Sequence, residues 1–564
     1  MPKTMNIFLY LVRALDPKER RACKIYIVLS LISPALDIIS FSAVIDILQA
    51  AMGQGAVSPQ LLAKAFAMAG LSVTKCFFEL YRRRVTNRFV YAGAQKLSVK
   101  LHEMLLKEDL SGHNQRSVMQ ALTLVRSDTT ACVGIVTGCV GALTSGTTML
   151  AYIAVSIQAV GWVGLLGGAA VLAYTAGLFL FYRSRIRVYG EKMRELTIRS
   201  NAQVSLAYGV FKEIKTGAPV EGILEKYRDV SLAHAQIQGK YNFQTGVLSV
   251  IMVDSLTALL FLLLGILLSQ GDGALSMLGS LVVYFTAFIR LAPLAFQIVT
   301  SLNSIESSKR SFQVVQDGLE KYQQIKSAEA AAQADPGPGL SLKQGIAVRG
   351  LCFSYGPKAV IFEDAEMEIP AGSAVAIVGL SGAGKTTLLD LLLGLLKPQK
   401  GSISYDGKDI AGIDSLTLRG LVSYIPQTVY LNGETIRNNV AFFAGKDGPD
   451  QARIIRCLQC AHIWQDVERM PQGLDTVVGE TGTAISAGQR QRIALARALY
   501  KDFELLVMDE ATAALDAGTE AAVMESIRQA NQTKTLLLVT HHGALAQRCD
   551  RVYQVENQKI LRIK

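Results

Sequence analysis

Six apolar stretches, at about residues 25–48, 61–81, 131–157, 162–182, 246–268 and 274–300, constrain this chain more than any other feature. Each reaches the roughly 20 residues that an α-helix needs to cross about 30 Å of hydrocarbon. In lipid every backbone N–H and C=O must be satisfied within the segment, which restricts such runs to helices. The second stretch is the most polar, carrying Lys64, Lys75 and Glu79. Lys75 and Glu79 stand four residues apart and can pair if that helix faces a cavity.

The connections set the expected topology. MGQGAVSPQ, the few residues around Ala159 to Gly161, and SQGDG are short and nearly uncharged. The connection after the second stretch carries Arg82, Arg83, Arg84, Arg88, Lys96, Lys100 and Lys107, and the one after the fourth carries Arg183, Arg185, Arg187, Lys192, Arg194 and Arg199. By the positive-inside rule both long connections are cytoplasmic, the short ones are external, and both termini lie inside. Helical periodicity persists through the long connections, with breaks expected near Ser111-Gly112 and Thr216-Gly217-Ala218-Pro219.

Charge divides the chain in the same place. Half of the residues are hydrophobic and the net charge is +11. From Leu342 onward 24 Lys and Arg balance 24 Asp and Glu, so the excess belongs to the preceding part, with 33 against 22. A basic, apolar portion joined to a balanced one reads as a membrane domain followed by a soluble domain. Nucleic-acid binding is not expected, because the basic residues flank apolar runs instead of forming a patch. The eight cysteines, including Cys457 and Cys460, suggest no disulfide framework or zinc site and read as reduced thiols. Met5 to Leu15 is too short to span a bilayer and reads as an interfacial helix, with no cleavable signal around it.

The expected organisation is an interfacial elbow helix over 1–24, a six-helix membrane domain over 25–320, a linker over 321–341 marked by Pro336 and Pro338, and a nucleotide-binding domain over 342–564. The fold class is an α-helical polytopic membrane domain plus a cytosolic α/β phosphate-loop ATPase domain.

Within the last segment, Gly379-Leu380-Ser381-Gly382-Ala383-Gly384-Lys385-Thr386 follows the apolar run Ala374–Val378 and precedes a helical Thr387–Leu393. This is the G-x-x-x-x-G-K-[ST] phosphate-binding loop in its strand-to-helix setting. Its glycines let backbone N–H groups and the helix N-terminus face phosphate oxygens. Lys385 is expected to neutralise the β/γ-phosphates of ATP, and Thr386 to ligate Mg²⁺. Downstream, Leu505-Leu506-Val507-Met508-Asp509-Glu510 is an apolar strand ending in two carboxylates. Asp509 suits Mg²⁺, and Glu510 suits a general base that polarises an attacking water.

Between them lies Ile485-Ser486-Ala487-Gly488-Gln489-Arg490-Gln491-Arg492, which resembles the signature motif of ATP-binding cassette (ABC) proteins. The remaining motifs of that family follow in order: Tyr355 in CFSYG, Gln427 in SYIPQ, Asp516 in ATAALD and His541 in LLVTHH. Six spans before one cassette resemble a half-size ABC exporter. The resemblance implies that Tyr355 stacks on adenine, that Gly379, Ser381, Gly382, Gly384, Lys385, Thr386 and Thr387 hold the phosphates, and that Thr386, Gln427 and Asp509 attend Mg²⁺. It further implies that Glu510, His541 and Gln427 act in hydrolysis, and that Ser486, Gly488, Gln489 and Asp516 complete the site from a second copy. One phosphate loop and one signature per chain then call for a homodimer with two equivalent sites.

Three positions depart from the family pattern: Ala487 for a Gly, Ile485 for a Leu, and Ala513 for a Ser. None replaces Glu510 or His541, so hydrolysis is expected to persist. For the cargo, intramembrane Asp37, Asp46, Asp254 and Arg290 are costly in lipid and should meet one another or a cavity. An Asp254–Arg290 pair is one expectation; attraction of an anionic head group by Arg290 is the other. Phe288-Ile289-Arg290-Leu291-Ala292-Pro293 resembles an R-L-x-P pattern of lipid-linked oligosaccharide flippases and tilts the reading towards an amphipathic, anionic or lipid-linked substrate. A peptide, drug or lipid exporter is the alternative, and an ATP-gated channel or regulator is the alternative of another class. The expected location is the cell (inner) membrane.

Overall fold

The computed structural model describes the chain except residues 1, 54–58, 161, 218–219, 269–277, 335–340, 357–358, 414, 443, 445–447, 480–484 and 531. Most of the connections expected to be external and the Pro-rich part of the expected linker therefore lie outside the described residues. The chain divides into two compact units, Met1–Glu108 with Gly112–Ser327, and Asp109–Ser111 with Ala328–Lys564.

The first unit is helical throughout. The six apolar stretches fall in long helices at Pro17–Gly53, Pro59–Lys107, Thr129–Val160, Trp162–Gly209, Val220–Leu268 and Leu278–Ser307. The 49-residue helices Pro59–Lys107 and Val220–Leu268 extend about 74 Å at 1.5 Å per residue, far beyond any bilayer. Among the described residues, two segments pass a strict length-and-hydropathy test for a span, Pro17–Ala43 and Val118–Gln158. A short helix, Leu110–Asn114, follows the break after Lys107, and Gly217 ends the helix Phe211–Thr216 with φ +137°.

The N-terminal helix Pro2–Ala14 packs as protein as well as facing outward. Leu11 and Leu15 are buried in a cluster with Phe89, Val133 and Phe312, while Leu9 stays exposed. Helix Lys309–Ala334 runs through the first part of the expected linker, because Ser-Ala-Glu-Ala-Ala-Ala is a helix-forming sequence.

One expected charge pairing is replaced by others, and a second is not found among the described residues. Lys75 pairs across to Asp37 of the preceding long helix instead of with Glu79. Glu79 instead accepts from Arg82 at 2.6 Å and from the Ser33 hydroxyl at 2.5 Å. This arrangement neutralises four charges in two pairs, whereas a Lys75–Glu79 pair would strand Asp37 and Arg82 in an apolar setting. Among the described residues no ion pair joins Asp254 to Arg290. Asp254 is exposed, and Arg290 lines a cavity of about 280 Å³ with Asp37, Lys75, Glu79 and Tyr152. Asp46 lies where side chains are outside the described residues.

The second unit is built on two sheets. A four-stranded antiparallel sheet has the order β2-β1-β4-β5, with β1 Gly345–Ser354, β2 Val360–Pro370, β4 Lys400–Tyr405 and β5 Lys408–Asp409. A six-stranded sheet has the order β10-β9-β3-β8-β7-β6, with β3 Ala374–Gly379, β6 Val422–Ile425, β7 Leu505–Asp509, β8 Thr535–Val539, β9 Arg551–Glu556 and β10 Lys559–Arg562. All its neighbours are parallel except β9 and β10. Every residue of β7 and β8 is buried, as expected for strands covered on both faces. Alternate residues feed two cores: Ala374, Ala376, Leu506 and Met508 on one side, Val375, Ile377, Leu505 and Val507 on the other. The parallel strands β3, β6, β7 and β8 bring their carboxyl ends to one edge of the sheet, where open α/β folds bind ligands.

Candidate nucleotide-binding and hydrolysis site

At the end of β3 the chain turns through three glycines with positive φ: Gly379 at +157°, Gly382 at +80° and Gly384 at +104°. A Cβ on Gly379 would sit 2.6 Å from the Val555 carbonyl, and one on Gly384 would sit 2.6 Å from Ile361 and 3.3 Å from the Phe362 ring. These positions are closed to side chains by neighbouring strands, so the loop curls tightly enough to aim its backbone inward. Lys385 opens the helix Lys385–Leu392 and is buried. Its ammonium folds back along the loop and donates to the carbonyls of Gly379 and Leu380, both at 3.0 Å. Ser381 and Thr386 are exposed, whereas Thr387 is buried and its hydroxyl lies 3.3 Å from that of Tyr355. Tyr355 also stands edge-on to Phe353 with centroids 5.1 Å apart, which anchors a ring that is 60% exposed.

Beside this loop, β7 delivers Asp509 into a buried position and Glu510 just past the strand end. Glu510 adopts φ +48°, a left-handed conformation that a residue other than glycine holds only when its surroundings impose it. Those surroundings are a hydrogen bond from its N–H to the Val539 carbonyl at 3.0 Å and another received by its own carbonyl from Gln491 at 3.3 Å. The turn aims its carboxylate at two donors. Gln427 Nε2, beyond β6, donates at 2.6 Å, and His541 Nε2, beyond β8, lies 2.6 Å from the other oxygen. Three strand ends thus bring Gln427, Glu510 and His541 into one hydrogen-bonded group.

The carboxylates around Asp509 are crowded. Burial, with Glu510 close by, pushes the Asp509 carboxyl above the usual range. Burial and then Asp509 push Asp390 up to about 6. Tyr424 donates to Asp509 at 3.4 Å, and burial raises its hydroxyl. A cation at the Asp509 edge would relieve this surplus of negative charge. Among the described residues no cluster of three His, Cys, Asp or Glu side chains is poised for a metal. The Asp509 carboxylate is a ligand type that Mg²⁺ takes, since that ion uses one or two carboxylates together with waters and phosphate oxygens.

The signature residues form a separate feature. Ser486 caps the helix Ala487–Tyr500 and makes a reciprocal capping box with Gln489, at 3.1 and 3.0 Å. Among the described residues, Ser486, Gly488 and Gln489 make no hydrogen bond to the phosphate loop, Glu510 or His541. A Cβ on Gly488 would lie 3.1 Å from the Ala514 carbonyl, while Ala487 is exposed. Asp516 caps the helix Ala517–Ala530, accepting from the N–H groups of Gly518 at 3.1 Å and Thr519 at 2.9 Å. Bonds from Thr519 hold its carboxyl below the usual range.

Three contributors escaped the sequence reading: Gln491, Tyr424 and Asp390. Gln491 is the most informative, since its amide bridges the Glu510 carbonyl and the Ala514 N–H at 3.0 Å. Its position inside the signature run was visible, but its burial was not. Cys457 and Cys460 are free thiols, and burial pushes Cys457 up to about 11.

Residues 362–513 match the model of the ABC transporter family. The fold is similar to that of a bacterial Atm1-family ABC exporter with ATP bound, at a TM-score of 0.78 and 22% identity, over 96% of this chain and 94% of that one. Residues 362–513 carry an ABC transporter domain, and the chain has the fold of an ABC exporter. It is 34% identical over 282 residues to the ATP-dependent lipid A-core flippase of Desulfotalea psychrophila, covering 49% of this chain and 48% of that protein. It is 34% identical over 294 residues to the transport/processing ATP-binding protein ComA of Streptococcus pneumoniae, covering 51% and 39% respectively. The chain spans about half or less of the length of these curated relatives. The ABC domain binds ATP.

Proposed function

We propose that this ABC exporter fold hydrolyses ATP to drive an amphipathic substrate across the cell membrane, as a homodimer working by alternating access. The observation that carries the reading is Glu510, held between Gln427 and His541 at 2.6 Å each beside the phosphate loop. In this reading Glu510 takes the proton of the attacking water, His541 and Gln427 hold the carboxylate in place, and Lys385 with the loop N–H groups orients the phosphates. Thr386 and Asp509, with Gln427 nearby, would hold Mg²⁺, which would supply neutralising charge to the phosphates. Tyr355 offers its exposed ring to the adenine. Because Ser486, Gly488 and Gln489 stand apart from the phosphate loop of their own chain, they are available to close the site of a second copy, with Asp516 at the junction. Closing and reopening of that pair is the two-state element that moves the membrane helices.

The proposed organisation is the elbow helix over 1–24, six spans over 25–320, the linker over 321–341 and the ABC domain over 342–564, with both termini cytoplasmic. For the cargo, Arg290 supports an anionic, lipid-linked head group. It lines the 280 Å³ cavity with Asp37, Lys75 and Glu79, and among these four it alone has no ion pair among the described residues. The volume lies below the roughly 300–1,000 Å³ of drug-sized pockets, so it suits a head group better than a whole amphiphile. The lipid A-core flippase relatives favour the same class, and a peptide remains the second reading.

Proteoliposomes test this directly. Flipping of a lipid-linked glycan is expected to require ATP and Mg²⁺ and to stop in Lys385→Ala. Transport of a peptide but no lipid would select the second reading, and flux without hydrolysis would replace the pump with a channel.

A further inference from the structure

Two of the long helices repeat one succession: exposed aromatic residues, then exposed arginines. On Pro59–Lys107, Phe77 and Tyr81 are 68% and 58% exposed, and Arg83, Arg84 and Arg88 follow, all exposed. At about 100° per residue these five side chains fall within roughly 160° of the helix circumference. Arg82 falls outside that arc, and it is the arginine that pairs with Glu79. The helix thus turns one arginine inward to a carboxylate and three outward. On Trp162–Gly209, Phe181 is 60% exposed and is followed by exposed Arg183 and Arg185, with Ile186 buried on the packed side. The Arg185 guanidinium lies 5.1 Å from the Phe181 ring centroid.

Among the described residues, Arg83, Arg84, Arg88, Arg183 and Arg185 have no acidic partner. Residues 80–102 and 162–190 contain no Asp or Glu at all, so local sequence cannot supply one. Closely spaced arginines repel unless an outside anion neutralises them. The rings beside them identify where that anion sits. Amphipathic aromatic residues settle at the head-group level of a bilayer, and guanidinium forks bind phosphate through two parallel hydrogen bonds.

We propose that these two arginine faces bind the phosphate head groups of acidic phospholipids in the cytoplasmic leaflet. The proposal rests on the reading that stretches 61–81 and 162–182 cross the membrane and leave it on the cytoplasmic side. It concerns the lipids of the surrounding bilayer and is independent of the cargo. Each basic residue near an anionic surface contributes about fivefold in lipid affinity.

The test is lipid enrichment around the full chain in vesicles of mixed phosphatidylcholine and phosphatidylglycerol, read by mass spectrometry of the lipids that co-purify. The wild type is expected to enrich phosphatidylglycerol. Replacing all five arginines by glutamine should abolish the enrichment, and replacing them by lysine should leave part of it, since lysine keeps the charge but loses the fork. The half-sets R83Q/R84Q/R88Q and R183Q/R185Q, each expected to lose part, serve if the quintuple variant does not fold. Unchanged enrichment in both half-sets overturns the proposal. Cysteine at position 84 labelled from outside the cell overturns the leaflet assignment, and that result separates a failed topology from failed lipid binding.

Discussion

In the C-terminal unit, the polar groups that form the site leave the ends of adjacent parallel strands, so residues distant in sequence meet because β6, β7 and β8 are neighbours. In the helical unit, charges meet across helix faces with no such edge to collect them: Lys75 with Asp37, and Arg194 with Asp128 and Ser311. The first arrangement places unsatisfied and crowded groups where a ligand completes them, as around Asp509. The second pairs several charges internally and leaves cations such as Arg290 and the outward arginines exposed, without an acidic partner among the described residues. A sheet edge concentrates chemistry; a helix bundle pairs some of its charges across helix faces and exposes others by rotation.

The comparison can be broken or sharpened by substitution. Glu510→Gln is expected to lower ATP turnover by about 10²–10⁴-fold. Nucleotide binding, measured with a fluorescent ATP analogue, should persist, and turnover that survived the change would dissolve the assigned site. Asp128→Asn is next. Asp128 is buried and takes Arg194 at 2.8 and 3.0 Å and the Ser311 hydroxyl at 2.6 Å. Removing its charge leaves a guanidinium unmatched and should cost about 3–5 kcal/mol. Thermal unfolding of the helical unit should shift down while ATP affinity stays unchanged.

Gln491→Leu should act more mildly, because it removes the bridge between the Glu510 carbonyl and the Ala514 N–H at a cost of roughly 1–3 kcal/mol. It is expected to depress kcat with little change in ATP affinity, and an equal loss of both would assign Gln491 to folding alone. The smallest effect belongs to Asp406→Asn. Burial would raise this carboxyl, but the N–H groups of Lys343, Gly345 and Gln344, at 2.8–2.9 Å, prevail and hold it below the usual range. The folded state therefore favours the ionised form. Its stabilisation is present above the ordinary carboxylate pKa and is lost as pH falls through the lowered folded value. The difference between variant and wild type in melting temperature should be visible at neutral pH and vanish in acid.

Much of the site was legible because its parts are contiguous. Gly379 to Thr386 is one turn between one strand and one helix, and Asp509 and Glu510 end a strand whose apolar run is unmistakable. The left-handed backbone of Glu510 was not legible, since it depends on a hydrogen bond to β8 and on Gln491. The partner of Lys75 was misread for a similar reason. Spacing along one helix offered Glu79, but Asp37 lies on another helix and the choice turned on which charges would otherwise be stranded.

The sequence by itself determined the long helices, the α/β unit and the residue types of the nucleotide site, because helical periodicity, strand hydrophobicity and short motifs are local properties of a chain. Tertiary structure alone decided which strand ends stand side by side, which arginine on Pro59–Lys107 turns inward, and that Arg290 meets a cavity and not Asp254. Those outcomes follow from the rotation of helices and the order of strands, which packing sets across the whole unit and no local stretch of residues encodes.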